Sequence, residues 1–240
     1  VKVRAVGAVA VGAVAVLALS GCGSDLGPDL HPGQAAVVGD HEISMSEVDS
    51  RADAYCTALL PGLAQSEIAL PMSSIRDELV SVMVDENLAR QYAEANDIDV
   101  SDVYEANLAQ LDQQLNDPTS GVSEENRGAI RDFNRMVIYS SSVQSEVGGS
   151  LSRGQKKLPT DQELAKGKQE IETWAQANGV EVSVDPRFEL SGDDSTALSF
   201  AVSDTTKLAE VARAEVGKAQ PDPKKITAYT DTLPASQKCG

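Results

Sequence analysis

Apolar residues recur every three to four positions over most of the chain, and that spacing predicts helices. Val48, Ala52, Tyr55, Cys56 and Leu59 form the first stripe, opened by a Ser44/Glu47 capping box and stopped by Pro61-Gly62. A second helix, capped by Ser74-Ile75-Arg76-Asp77, carries Ile75, Leu79, Val82, Met83, Leu88 and Tyr92, while Val80 and Val84 stand off its main stripe. Apolar residues on more than one face predict a central helix packed on two sides. Ser101 opens a third with the narrow stripe Tyr104, Leu108, Leu111, Leu115, ended by Asp117-Pro118. Residues 123 to 147 give a fourth, with Ile130, Phe133, Val137 and Val143, ended by Gly148-Gly149. Thr160 to Glu163 caps a fifth, with Leu164, Ile171 and Trp174, terminated at Asn178-Gly179.

The period changes from 3.6 to 2 at both ends of this helical run. Val37-Val38 and Glu42-Ile43 flank Gly39-Asp40 and read as a tight hairpin. Val180 to Val184 alternates cleanly as a strand that closes at Asp185-Pro186-Arg187-Phe188, and Leu198, Phe200 and Val202 alternate again. A helical segment, TTKLAEVARAEV, then leads through QPDPKK into a tail that packing or a crosslink must hold in place. The expected fold is mainly α with a small β element: an opening hairpin, about five helices and a closing strand. Its expected boundaries are a leader at 1–21, a tether at 22–34, a helical domain at 35–190 and an extension at 191–240.

The leader has its own logic. Lys2 and Arg4 precede an Ala/Val/Gly run from Ala5 to Leu19, too short for the roughly 20 residues of a membrane span but suited to a secretory signal. Leu19-Ser20-Gly21-Cys22 resembles the bacterial lipobox, in which the cysteine is acylated (palmitate being one such chain) and becomes the new N-terminus. Cys22 is thus the expected lipidation site, and the remainder is expected on the extracytoplasmic face of a cell membrane. SDLGPDLHPGQ, without an apolar period, is the tether that follows.

Charge narrows the partners. The 37 acidic residues against 20 basic ones set the net charge at −17, more negative still once Lys2 and Arg4 leave with the leader. Such a surface repels nucleic acid and anionic lipid, so the only expected membrane contact is the anchor. With Cys22 acylated, Cys56 and Cys239 remain as an even pair in an oxidising compartment, the candidate disulfide.

Catalytic chemistry has little to work with. His31 and His41 both precede the helices and belong to no ligand-spaced cluster, which disfavours a triad or a zinc site. Acid pairs such as Glu124-Glu125 and Asp193-Asp194 are expected by chance at this composition. Asp97, Asp99 and Asp102 lack the glycine and closing glutamate of a calcium loop. No enzyme activity, cofactor or metal is expected. Met45, Met72, Met83 and Met136 are either adaptable surface contacts or core.

AAVVGDHEISMSEVD, residues 35 to 49, and VEVSVDPRFEL, residues 180 to 190, together resemble the start and close of the N-terminal chaperone domain of SurA and PrsA-type foldases. TLPASQKCG is similar to the terminal stretch of actinobacterial lipoproteins carrying that domain. The resemblance implies that the returning helix and strand pack beside the opening hairpin. In that family a parvulin-type isomerase domain is often inserted just before the returning helix. Here only GGSLSRGQKKLP, residues 148 to 159, occupies that place, where a parvulin needs on the order of 90 residues, beyond any single loop. Isomerase activity is therefore not carried over. The implied role is ATP-independent holding or folding of exported polypeptides, with unfolded polypeptide as partner and groove residues unspecified. A non-chaperone envelope adaptor is the alternative, and a solute-binding lipoprotein a more distant one, since the helix–strand alternation of such receptors is missing.

Overall fold

The computed structural model describes residues 32–152, 158–188, 206–216 and 222–240. The leader, Cys22, His31, most of the tether, Asp193-Asp194 and the Leu198/Phe200/Val202 alternation lie outside the described residues. The protein is mainly helical with a small β element. Strands β1 (Gln34–Val38) and β2 (His41–Ser44) form the hairpin, joined through Gly39 at φ 63°. Glycine at the first central position of a two-residue loop turns the chain without a Cβ penalty. Ser44 then starts α1 (Met45–Ser66), its Oγ accepting the Glu47 backbone N–H at 3.1 Å.

Helix α1 does not stop at Pro61-Gly62. It runs on to Ser66 because both residues face solvent, where water can serve the carbonyl that proline leaves without a donor. It ends at Glu67 in the left-handed conformation, with the Glu67 and Ile68 N–H groups donating to the Ala64 and Leu63 carbonyls. A two-residue strand, β3 (Leu70–Pro71), leads directly into α2 (Met72–Ala95). The helix therefore begins before Ser74. That residue is buried in the first turn, and its hydroxyl donates to the Pro71 carbonyl at 2.7 Å rather than capping.

Helix α2 is central, as its two-faced pattern predicts. Ile75, Leu79, Val82, Met83, Leu88 and Tyr92 are buried, and so are Val80 and Val84. It packs against α1, against α4 (Arg127–Leu151) and α5 (Thr160–Ala177), and against β1, whose Val38 carbonyl accepts a hydrogen bond from Gln91 Nε2 at 3.0 Å. Helix α3 (Ser101–Asn116) lies outside this core, chiefly against α4, and only Leu115 of its stripe is fully buried. Strand β4 (Val182–Val184) pairs antiparallel with β1, Ala36 opposite Val184 and Val38 opposite Val182, giving the order β2-β1-β4. The returning strand thus lies beside the hairpin, while α5 packs on α4 and α2.

Gly148-Gly149 do not end α4, which continues to Leu151. Gly148 is buried where α4 meets α5: a Cβ placed on it would stand 1.9 Å from the Glu163 carbonyl oxygen. Gly167 of α5 reciprocates, its own added Cβ falling 1.8 Å from the Gln144 carbonyl oxygen. The two helices approach backbone to backbone, and these glycines exist for that contact.

The described part of the C-terminal extension packs on the start of α2 and its preceding strand. Helices α6 (Lys207–Val216) and α7 (Pro223–Thr230) bury Ala209, Ala212, Ile226 and Tyr229 between them, with Leu70 and Leu233 against that cluster. Thr227 Oγ1 accepts the Ala69 N–H at 3.1 Å, and β5 (Lys238–Cys239) pairs with β3. Cys56 and Cys239 are disulfide-bonded, with Cα atoms 5.6 Å apart, so the tail is held by both packing and a covalent link. Three of the four methionines, Met72, Met83 and Met136, are core rather than adaptable surface.

The glycine crossing makes a paired prediction. Gly148→Ala should destabilise by about 1–3 kcal/mol through overpacking, whereas Gly149→Ala, with nothing within 4 Å, should stabilise by about 0.5–1 kcal/mol through helix propensity. Thermal denaturation of the two variants checks both signs.

Candidate binding cleft

Between α1 and the first half of α4 the surface opens into a cleft of about 160 Å³. Small residues hold it open: Ser50 and Ala54, one turn apart on α1, and Ala129 on α4. Leu79 of α2, buried beneath, forms the floor with Met136, and Tyr55 and Phe133 stack at 4.5 Å between centroids. Arg51 and Asp132 complete the lining, and both are committed elsewhere. Arg51 Nε donates to Glu47 Oε1 at 3.1 Å, and Asp132 pairs with Arg135 at 3.3 Å. The site offers apolar contact with charges restrained around it. It presents no nucleophile beside a base.

Near enough to Tyr55 for its charge to be felt there, Glu78 is held above the usual carboxylate range. Burial of the carboxylate is the main cause and the Asp85 charge adds to it, against the opposing pull of Lys168. Part of the side chain reaches solvent, yet the surrounding protein removes enough water to favour the neutral form. Lys168 is anchored to Asp85 at 2.9 Å, an ion pair that ties α5 to α2. Burial, and then the Glu78 charge, push the Tyr55 hydroxyl upward as well.

A second, shallower depression of about 580 Å³ lies at the turn from α2 to α3, lined by Arg90, Glu94, Asp97, Asp99 and Tyr139 among others. Its polar groups serve one another. Arg90 lies 4.1 Å over the Tyr139 ring while bonding Glu86 at 2.7 Å, and Asp99 accepts the Ser101 N–H at 2.9 Å at the start of α3. Asp97 takes a left-handed turn at φ 53°. Among the described residues, no group of three or more His, Cys, Asp or Glu could hold a metal ion.

Of the residues singled out by sequence, Cys56 and Cys239 are brought together. His41 is exposed, 3.7 Å from Asp40, and Glu124-Glu125 lie exposed on a 3-10 turn before α4. The cleft was missed. Its available signal was the Ser50/Ala54 pair of small residues one turn apart on a helix whose neighbours at Tyr55 and Leu59 are large.

Residues 2–116 match the family model of the SurA-like N-terminal domain, and such a domain is present over that stretch. The match spans the hairpin, α1, α2 and α3 and ends there, short of the 35–190 span expected from the opening and closing motifs. The cleft accordingly joins two matched helices to α4, which lies beyond the match. No curated protein and no solved structure matches the chain.

Because Glu78 has its pKa raised on folding, the native state holds that proton more tightly than the unfolded chain does. Its contribution to stability is lost as pH rises through the interval between the unfolded and folded values, and is regained below it. Glu78→Gln should therefore raise Tm at pH 7, with the advantage shrinking towards pH 4, as pH-dependent thermal unfolding would measure.

Proposed function

We propose that this chain is a lipid-anchored extracytoplasmic protein that holds incompletely folded exported polypeptides, without ATP and without prolyl isomerisation. The SurA-like N-terminal domain over residues 2–116 carries this reading, since the role typical of such domains is to bind protein. Supporting it at the front is the lipobox-like LSGC ending in Cys22. Two or more acyl chains give stable anchoring where one gives only marginal binding. The Cys56–Cys239 disulfide suits an oxidising compartment, and among the described residues no helix is long and apolar enough to cross a membrane. The −17 charge keeps the domain off anionic lipid, and the tether gives it reach.

Holding of this kind is contact alone. Apolar surface offered near the membrane raises the local concentration of binding sites for emerging chains, and weak contacts then suffice. An envelope adaptor built on the same helices would instead select a single partner.

The test is an aggregation assay with several unrelated unfolded proteins. Suppression of all of them at near-stoichiometric ratios is expected, together with background rates on proline peptides. Retrieval of one partner with no suppression would replace the holding role by the adaptor role. In cells, Cys22→Ser should move the protein from the membrane fraction to the soluble extracytoplasmic fraction, read by fractionation.

A further inference from the structure

The geometry points to the α1/α4 cleft as a subsite for one bulky apolar side chain of an extended polypeptide, with Lys or Arg in the flanking positions. This deepens the holding function and rests on that reading. Size is the first argument. A cavity of about 150 Å³ lined by apolar side chains accepts a benzene ring, and this cleft measures about 160 Å³. One leucine, methionine or phenylalanine side chain fills it; a helix face or a folded surface does not enter it.

Shape is the second argument. Ser50, Ala54 and Ala129 leave the mouth open, while Leu79, Phe133 and Met136 supply an apolar floor and wall. Met136 is 1% exposed, so the floor is built into the core and does not need to assemble on binding. A side chain inserted there exchanges water for close contacts, the only large favourable interaction the site offers.

Charge selects the flanks. Arg51 and Arg135 are paired with Glu47 and Asp132, and Arg127 Nη1 donates to Asn116 Oδ1 on α3 at 2.8 Å. Asp53, adjacent to Ala54, has no ion pair among the described residues, and neither have Glu124 and Glu125 on the turn that packs against α1. These exposed acids lie on α1 and on the turn packed against it, within a chain of net charge −17, so basic residues on either side of the inserted group meet attraction and acidic ones repulsion.

The experiment uses the full chain in detergent micelles, labelled with carbon-13 at its methionine methyl groups. The probe is a ten-residue peptide with a central leucine between lysines, compared with a central-alanine analogue and a glutamate-flanked analogue. The leucine peptide should shift the Met136 methyl signal and leave those of Met72 and Met83 in place. Both analogues should bind at least about tenfold more weakly. Ala54→Leu, which fills the mouth from an exposed position, should weaken the leucine peptide by a similar factor with Tm unchanged. Where that variant fails to fold, the selective Met136 shift in the unmodified chain decides. Equal binding of the leucine and alanine peptides, binding without a Met136 shift, or a shift produced by protein concentration alone would overturn the subsite; the last would place a second copy there. Aggregation suppression without peptide binding at Met136 removes the subsite and leaves the holding function. Peptide binding at Met136 without suppression does the reverse.

Discussion

Helix α2 is buried along both of its faces, and the rest of the molecule is arranged by that burial. Eleven of its apolar positions, among them Leu79, Val80, Met83 and Ala89, are removed from water, at about 1.5–3 kcal/mol for each large aliphatic side chain. No single partner could cover both faces. Helices α1, α4 and α5 and strand β1 therefore all lie against it, and polar links to α2, among them Gln91 to Val38, Asp85 to Lys168 and Arg76 to Asp49, position neighbours already held by apolar contact. The cleft inherits this rigidity because its floor is Leu79.

Helices α4 and α5 add a second constraint. At Gly148 and Gly167 the backbones come too close for any side chain, which sets the register of the pair. The first half of α4 runs past this crossing and lies between α1 on one side and α3 on the other. Phe133 and Met136 meet α1, while Arg131 bonds Asp112 of α3 at 2.7 Å. The cleft is thus a gap between elements whose positions are determined elsewhere, left open by three small side chains.

Periodicity exposed much of this. The two-sided character of α2, the hairpin at Gly39, the strand at Val182–Val184 and the candidate cysteine pair were all legible, because burial and turn geometry act on neighbouring residues. What escaped depends on distant partners. A glycine pair reads as a terminator unless the helix that will press on it is known, and Gly148 gives that false stop. Pro61 reads as a stop unless its exposure to solvent is known. The two-residue strands β3 and β5 have no period at all, and the signals of α7, Asp222 followed by Pro223 and the single Ile226/Tyr229 pair three residues apart, are too short to set a period. Small residues lining a cleft look like ordinary helix formers until the facing helix is placed.

The place of β1 between β2 and β4 has a consequence for how the chain matures. Its first ladder closes across a two-residue turn and forms on a microsecond scale, but its second needs residues from the far side of five helices. A chain emerging N-terminus first therefore carries β1 with one edge unpaired until β4 arrives, and an open edge of that kind is a template for mispairing. Under the proposed holding function, the protein thus passes through an interval in which it shares the vulnerability of the chains it would hold.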